Sequence, residues 1–134
     1  MRKPGRIRRD ERGASVIEFA LLAPVLVAFI IGISQLGLLF FANAGLGNAV
    51  SEGARMATLY PRPTNEQISA RVNDRRFGLD PAYVSGPAIV EGVEDGAPYA
   101  EITMTYAAPL NFIFYKVGPI RLSKTRRVYT QPTT

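Results

Sequence analysis

Phe19–Phe41 reads FALLAPVLVAFIIGISQLGLLFF, twenty-three residues in which Ser34 and Gln35 are the only polar side chains. No charged side chain occurs anywhere from Phe19 to Ser51. As a helix the stretch rises roughly 34 Å, enough to cross a hydrocarbon core of about 30 Å. A buried helix of a soluble protein is the weaker reading, because a chain of 134 residues holds too little other material to surround so long an apolar rod. A membrane helix is expected over about residues 19–41.

The segment before it is basic. Residues 1–12 carry Arg2, Lys3, Arg6, Arg8, Arg9 and Arg12 against Asp10 and Glu11, whereas residues 52–134 hold ten basic and eight acidic side chains. Most of the net charge of +5 therefore belongs to the N-terminal tail. A pI near 9.9 is then no argument for a nucleic-acid partner, and none is expected. By the positive-inside bias the tail lies in the cytoplasm and the C-terminal part lies beyond the membrane. Ala42-Asn43-Ala44 has the form of a signal-peptide cleavage site, but a signal's apolar region is about 7–15 residues and this one is far longer.

Composition also limits the chemistry. With no Cys and no His there is no zinc finger, thiol nucleophile, imidazole base or disulfide framework. Glu94 and Asp95 read as turn residues, and neither a phosphate-binding glycine loop nor a nucleophile elbow is present. No catalytic residue, metal site or cofactor is expected.

The boundary between tail and helix is more specific. Arg12-Gly13-Ala14-Ser15-Val16-Ile17-Glu18-Phe19 resembles the processing site of type IV pilin-like precursors, in which a basic leader ends in Gly and a Glu precedes a long apolar helix. The continuation Ala20-Leu21-Leu22-Ala23-Pro24, together with Asn48-Ala49-Val50-Ser51-Glu52-Gly53-Ala54-Arg55-Met56-Ala57, narrows the resemblance. Over roughly residues 12–60 the chain is similar to the TadE-like minor pilins, or pseudopilins, of tight-adherence (Tad/Flp) pilus systems. That resemblance implies cleavage between Gly13 and Ala14 by a prepilin peptidase and removal of the leader 1–13. It implies an assembly role for Glu18, next to Phe19, through pairing with the N-terminal amine of a neighbouring subunit. The implied partners are other major and minor pilins, the inner-membrane assembly platform and membrane lipid. The implied location is the bacterial inner membrane, crossed once, with the C-terminal domain periplasmic or extracellular and the protein available to the pilus. An unprocessed single-pass protein that binds or regulates an envelope complex is the alternative.

Elementary chemistry gives these positions a meaning of their own. Glycine before a scissile bond lets backbone enter a tight groove without side-chain conflict. Glu18 alone reads either as a solvated carboxylate at a helix N-terminus or as a counter-charge for the ammonium that cleavage would create at Ala14. Small residues recur every fourth position at Ala20, Pro24, Ala28 and Gly32, and again at Gly45, Ala49, Gly53 and Ala57. Such ridges admit a close neighbour, either another membrane helix or the protein's own domain. Pro24 lacks a backbone donor, and a kink is expected there.

The expected fold class is α+β. A long helix over 14–59, half transmembrane and half exposed stalk, precedes a small domain over 60–134. Tyr60-Pro61-Arg62-Pro63 ends the helix. Thr64 to Gln67 fits a capping box, opening a short helix with Ile68, Val72 and Phe77 on one stripe and Gly78 just past its end. Antiparallel strands follow: one over Tyr83–Val93 broken by Gly86-Pro87, one alternating over Tyr99–Tyr106, and one over Ile120–Thr130. The apolar run Pro109–Tyr115 is either core or a surface touching membrane or a partner, core being preferred.

Overall fold

The computed structural model describes residues 11–111 and 116–131. One helix, α1, runs without interruption over Glu11–Ala57, its forty-seven residues giving about 70 Å of length, and Pro24 lies inside it. A second helix, α2, occupies Asn65–Asp74. After a 3₁₀ turn at Pro81–Tyr83 come three strands, β1 (Val84–Glu94), β2 (Ala97–Asn111) and β3 (Lys116–Tyr129). They form an antiparallel meander in the order β1-β2-β3. The α+β architecture read from the sequence is the one observed.

The two halves of α1 have different surroundings. From Ser15 to Leu38 its side chains are exposed or only partly covered, with Phe19, Leu21, Phe29 and Ile33 all about two-thirds accessible or more. Beyond Phe41 one side becomes the spine of the domain: Ala42, Leu46, Ala49, Val50, Ala54 and Ala57 are buried. Ala44, Asn48, Ser51 and Arg55, on the other side, stay exposed. The second half of the helix is thus a stalk on one side only.

Alternation along β2 supplies the opposing wall. Ala100, Ile102, Met104, Tyr106 and Ala108 point at α1 and are buried, closing the core with Ile68 and Val72 of α2. Burying a side chain such as Ile102 contributes roughly 1.5–3 kcal/mol. The other face carries Thr103 and Thr105, whose hydroxyls pair across the sheet with Thr125 and Ser123. Asp95 and Gly96 both have positive φ, which a two-residue hairpin turn between right-twisted strands demands. By sequence Gly86-Pro87 reads as a break, since proline cannot donate to a ladder. The structure keeps one strand and absorbs the pair as a register shift between Ser85 and Ala88.

The short helix begins as expected, with the Gln67 N–H donating to Thr64 Oγ1 and the Thr64 N–H donating to Gln67 Oε1 at 3.0 Å. Its end differs. The helix stops at Asp74 with Arg75 as C-cap, so Phe77 and Gly78 lie outside it. The Phe77 ring instead packs on Phe41 of α1, centroids 5.2 Å apart. Of the apolar run at Pro109–Tyr115, Leu110 is buried at the end of β2, and residues 112–115 lie outside the described residues.

Candidate functional site

The start of α1 holds the residues to which the family resemblance assigns processing and register. Gly13 is exposed in the first turns of the helix, and a Cβ built on it would meet nothing within 4 Å. This fold therefore places no steric demand for glycine at that position. Ala14 is helical, with its side chain outside the described residues. Glu18 and Phe19 follow one turn later, both exposed, and Glu18 forms no ion pair among the described residues. Glu18 thus stands as an exposed carboxylate on an apolar helix. Farther along, Pro24, Ala28 and Gly32 line an open apolar groove with Val25, Phe29 and Leu36. Ser34, the polar interruption, donates its hydroxyl to the carbonyl of Ile30 at 2.8 Å, satisfying itself within the helix.

The second small-residue ridge is occupied by the protein's own domain. A Cβ at Gly45 would collide with the backbone carbonyl of Phe77, and one at Gly53 with a methyl of Val72. Ala49 and Ala57, between and beyond them, are buried in the same core. Gly32, Gly37 and Gly47 have open space where a Cβ would go. The two sets of glycines thus divide by cause: Gly45 and Gly53 are fixed by intramolecular packing, whereas the others are not.

Polar residues of the same segment tie α2 to α1. Asn48 Nδ2 donates to the Arg75 carbonyl at 3.0 Å, holding the chain where it leaves α2. Glu52 Oε2 accepts from Arg55 Nη2 at 3.2 Å and from Arg71 Nη2 of α2 at 3.4 Å. The Arg55 hydrogen bond, with the charge of Arg71 behind it, holds the Glu52 carboxyl below its ordinary range. The stabilisation it gives is present at neutral pH and is lost as pH falls through that lowered value. Local spacing shows the Glu52–Arg55 pair, but not Arg71 or Phe77, which are brought in by the tertiary fold.

A contrast between two nearby glycines tests the packing. Gly45→Ala places a methyl against backbone that cannot rotate away, and overpacking of this kind costs about 1–3 kcal/mol. Gly47→Ala meets open space and should gain up to about 1 kcal/mol of helix propensity. Denaturant unfolding of the full chain in detergent micelles should therefore shift in opposite directions for the two variants.

A long apolar helix, bare at one end and clothed by an α+β domain at the other, is the build of a helix-anchored protein. Its length and composition are compatible with a single membrane crossing. Residues 13–55 match the model of the family described as TadE-like protein, about a third of the chain. The match spans the segment from Gly13 to Arg55 whose geometry is set out above. The curated proteins and the solved structures compared with the chain gave no match.

Proposed function

We propose that the chain is a minor pilin or pseudopilin, cut between Gly13 and Ala14 by a prepilin peptidase and then engaged in assembly or anchoring of an adhesive Tad/Flp-type pilus. The observation that carries the reading is a coincidence of position. The family match opens at Gly13, the residue at which the basic tail gives way to the bare apolar helix. A structural role follows from such a build: the helix supplies anchorage and lateral contact, and the domain supplies a shaped surface on the far side of the membrane. Other pilins and the inner-membrane assembly platform are the partners proposed for the exposed half of α1, with membrane lipid around it before assembly.

Intact mass of the protein extracted from membranes tests the reading. Loss of residues 1–13 supports it. An unshortened chain would favour a membrane protein that keeps its leader, and loss of residues 1–44 would mean a secreted domain. Topology gives an independent check. A reporter fused after Thr134 should be active outside the cytoplasm, and neutralising the cations at positions 2–12 should weaken that orientation. A reporter active only in the cytoplasm would contradict it.

A further inference from the structure

The apolar span and the folded domain overlap along α1. Counted from Phe19, a core of about 30 Å is crossed in about 20 residues and ends near Leu38. The end of the sheet already lies beside that point. A cleft of about 330 Å³ there is lined by Gln35, Leu38 and Leu39 of the helix, by Tyr106 and Leu110 of β2, and by Asp80. Leu36, Leu38 and Phe40 remain exposed around it. The segment after α2 leads the same way: Arg75 is held at Asn48, Phe77 lies against Gly45, and Gly78 touches Phe41. From Arg75 to Asp80 the chain descends α1 toward the span.

Arg76 and Arg121 stand at this height. Arg121 lies opposite Ala107, three residues and roughly 10 Å up the sheet from Leu110. Arg76 lies between the levels of Gly45 and Asn48, about 10–15 Å past Leu38. Neither forms an ion pair among the described residues, whereas Arg55, Arg62, Arg71, Arg75 and Arg127 all do. Asp80, the acid nearest the cleft, has Oδ1 accepting the Ala82 N–H at 2.9 Å. Lys124 and Arg126 also form no ion pair among the described residues but lie higher on β3, opposite Met104 and Ile102. A headgroup layer is about 5–7 Å deep, so a long arginine side chain at Arg76 or Arg121 reaches it from above while keeping its stem on the protein.

We propose that the lower end of the domain rests on the bilayer that α1 crosses, and that Arg76 and Arg121 bind the phosphate headgroups of anionic phospholipid there. The proposal rests on the membrane-crossing reading of α1 and extends it from anchorage by the helix alone to lipid recognition by the folded domain. Continuity with the apolar helix selects the bilayer as occupant, and the positive sign of these two side chains, neither ion-paired among the described residues, selects anionic lipid.

The chain has no cysteine, so single cysteines can carry an environment-sensitive fluorophore at Leu26, Ile120 or Val93. Ile120 marks the lower end of the sheet, and Val93 marks its far end, ten residues of β2 away and roughly 33 Å distant. The full chain is reconstituted into phosphatidylcholine vesicles with or without phosphatidylglycerol, with spin-labelled lipids as quenchers. Quenching at Ile120 should exceed that at Val93 several-fold and should increase with phosphatidylglycerol. The R76Q/R121Q double variant should lose the phosphatidylglycerol dependence, whereas R126Q should keep it. If Leu26 is quenched but Ile120 is no more quenched than Val93, the domain stands clear of the membrane; the proposal fails while the membrane helix survives. Quenching at Ile120 that ignores phosphatidylglycerol or the double variant would overturn headgroup recognition. An unquenched Leu26 would overturn the membrane-crossing reading and the proposal together.

Discussion

Gly13→Leu precursor accumulates with its leader attached, and Gly13→Ala is processed far more slowly than the native chain. Both expectations follow from the cleavage proposed between Gly13 and Ala14. The bond lies within α1, so a peptidase that reads an extended strand must first unwind the opening turns of the helix. Glycine lowers the cost of unwinding by about 1 kcal/mol relative to alanine, and it presents no side chain to the groove. A substituent that shifts the scissile bond by about 1 Å is enough to cost on the order of 10²-fold in rate. The fold itself should not suffer, since a Cβ at Gly13 meets nothing within 4 Å. Gel mobility and intact mass after expression with the cognate peptidase measure the outcome, with detergent unfolding as the control for stability. Normal maturation of Gly13→Leu would remove the main support for a pilin-type precursor.

The parts of this fold governed by local periodicity were legible before any coordinates. The alternation of Ala100, Ile102, Met104 and Tyr106 marks the buried face of β2, and the Thr64–Gln67 capping box marks the start of α2. What escaped local reading depends on distant neighbours. Phe77 fits the helical stripe of Ile68 and Val72 by spacing, yet the chain leaves the helix before it. Phe41 and the gap at Gly45 offer Phe77 a better contact, more than thirty residues back in sequence. The i, i+3 spacing of Glu52 and Arg55 accounts for one ion pair, whereas α2 brings Arg71 to the same oxygen from nineteen residues away. Gly86-Pro87 looked like a break because proline cannot donate to a ladder, but at the edge strand β1 a bulge accommodates the missing donor. The residues proposed for processing and assembly differ in kind. Among the described residues no contact of Gly13 or Glu18 explains them, and their reading comes from the family pattern alone.

Glu18→Gln should yield a chain that is inserted and cleaved, at least in part, but fails to assemble. Cleavage would leave an α-ammonium on Ala14, one helical turn from the Glu18 carboxylate, on an apolar helix with no other charge until Glu52. Glu18 is exposed and has no ionic partner among the described residues. When apolar helices bundle and water leaves, an unpaired carboxylate carries a desolvation cost of several kcal/mol. A pair about 4 Å apart is attracted by about 1 kcal/mol in water and about 4 kcal/mol at an effective dielectric of 20. Pairing with a neighbour's ammonium would thus favour one axial register over those that leave both charges alone. Glutamine keeps the size and helix propensity of glutamate and removes the charge. If most of that attraction is lost, co-purification with other pilins should fall by a factor of about 10²–10³. The comparison is made on cleaved protein, because a processing defect would imitate an assembly defect. Wild-type piliation from a fully cleaved Glu18→Gln strain would return Glu18 to the role of a hydrated carboxylate near the helix N-terminus, stabilised by the macrodipole and nothing more.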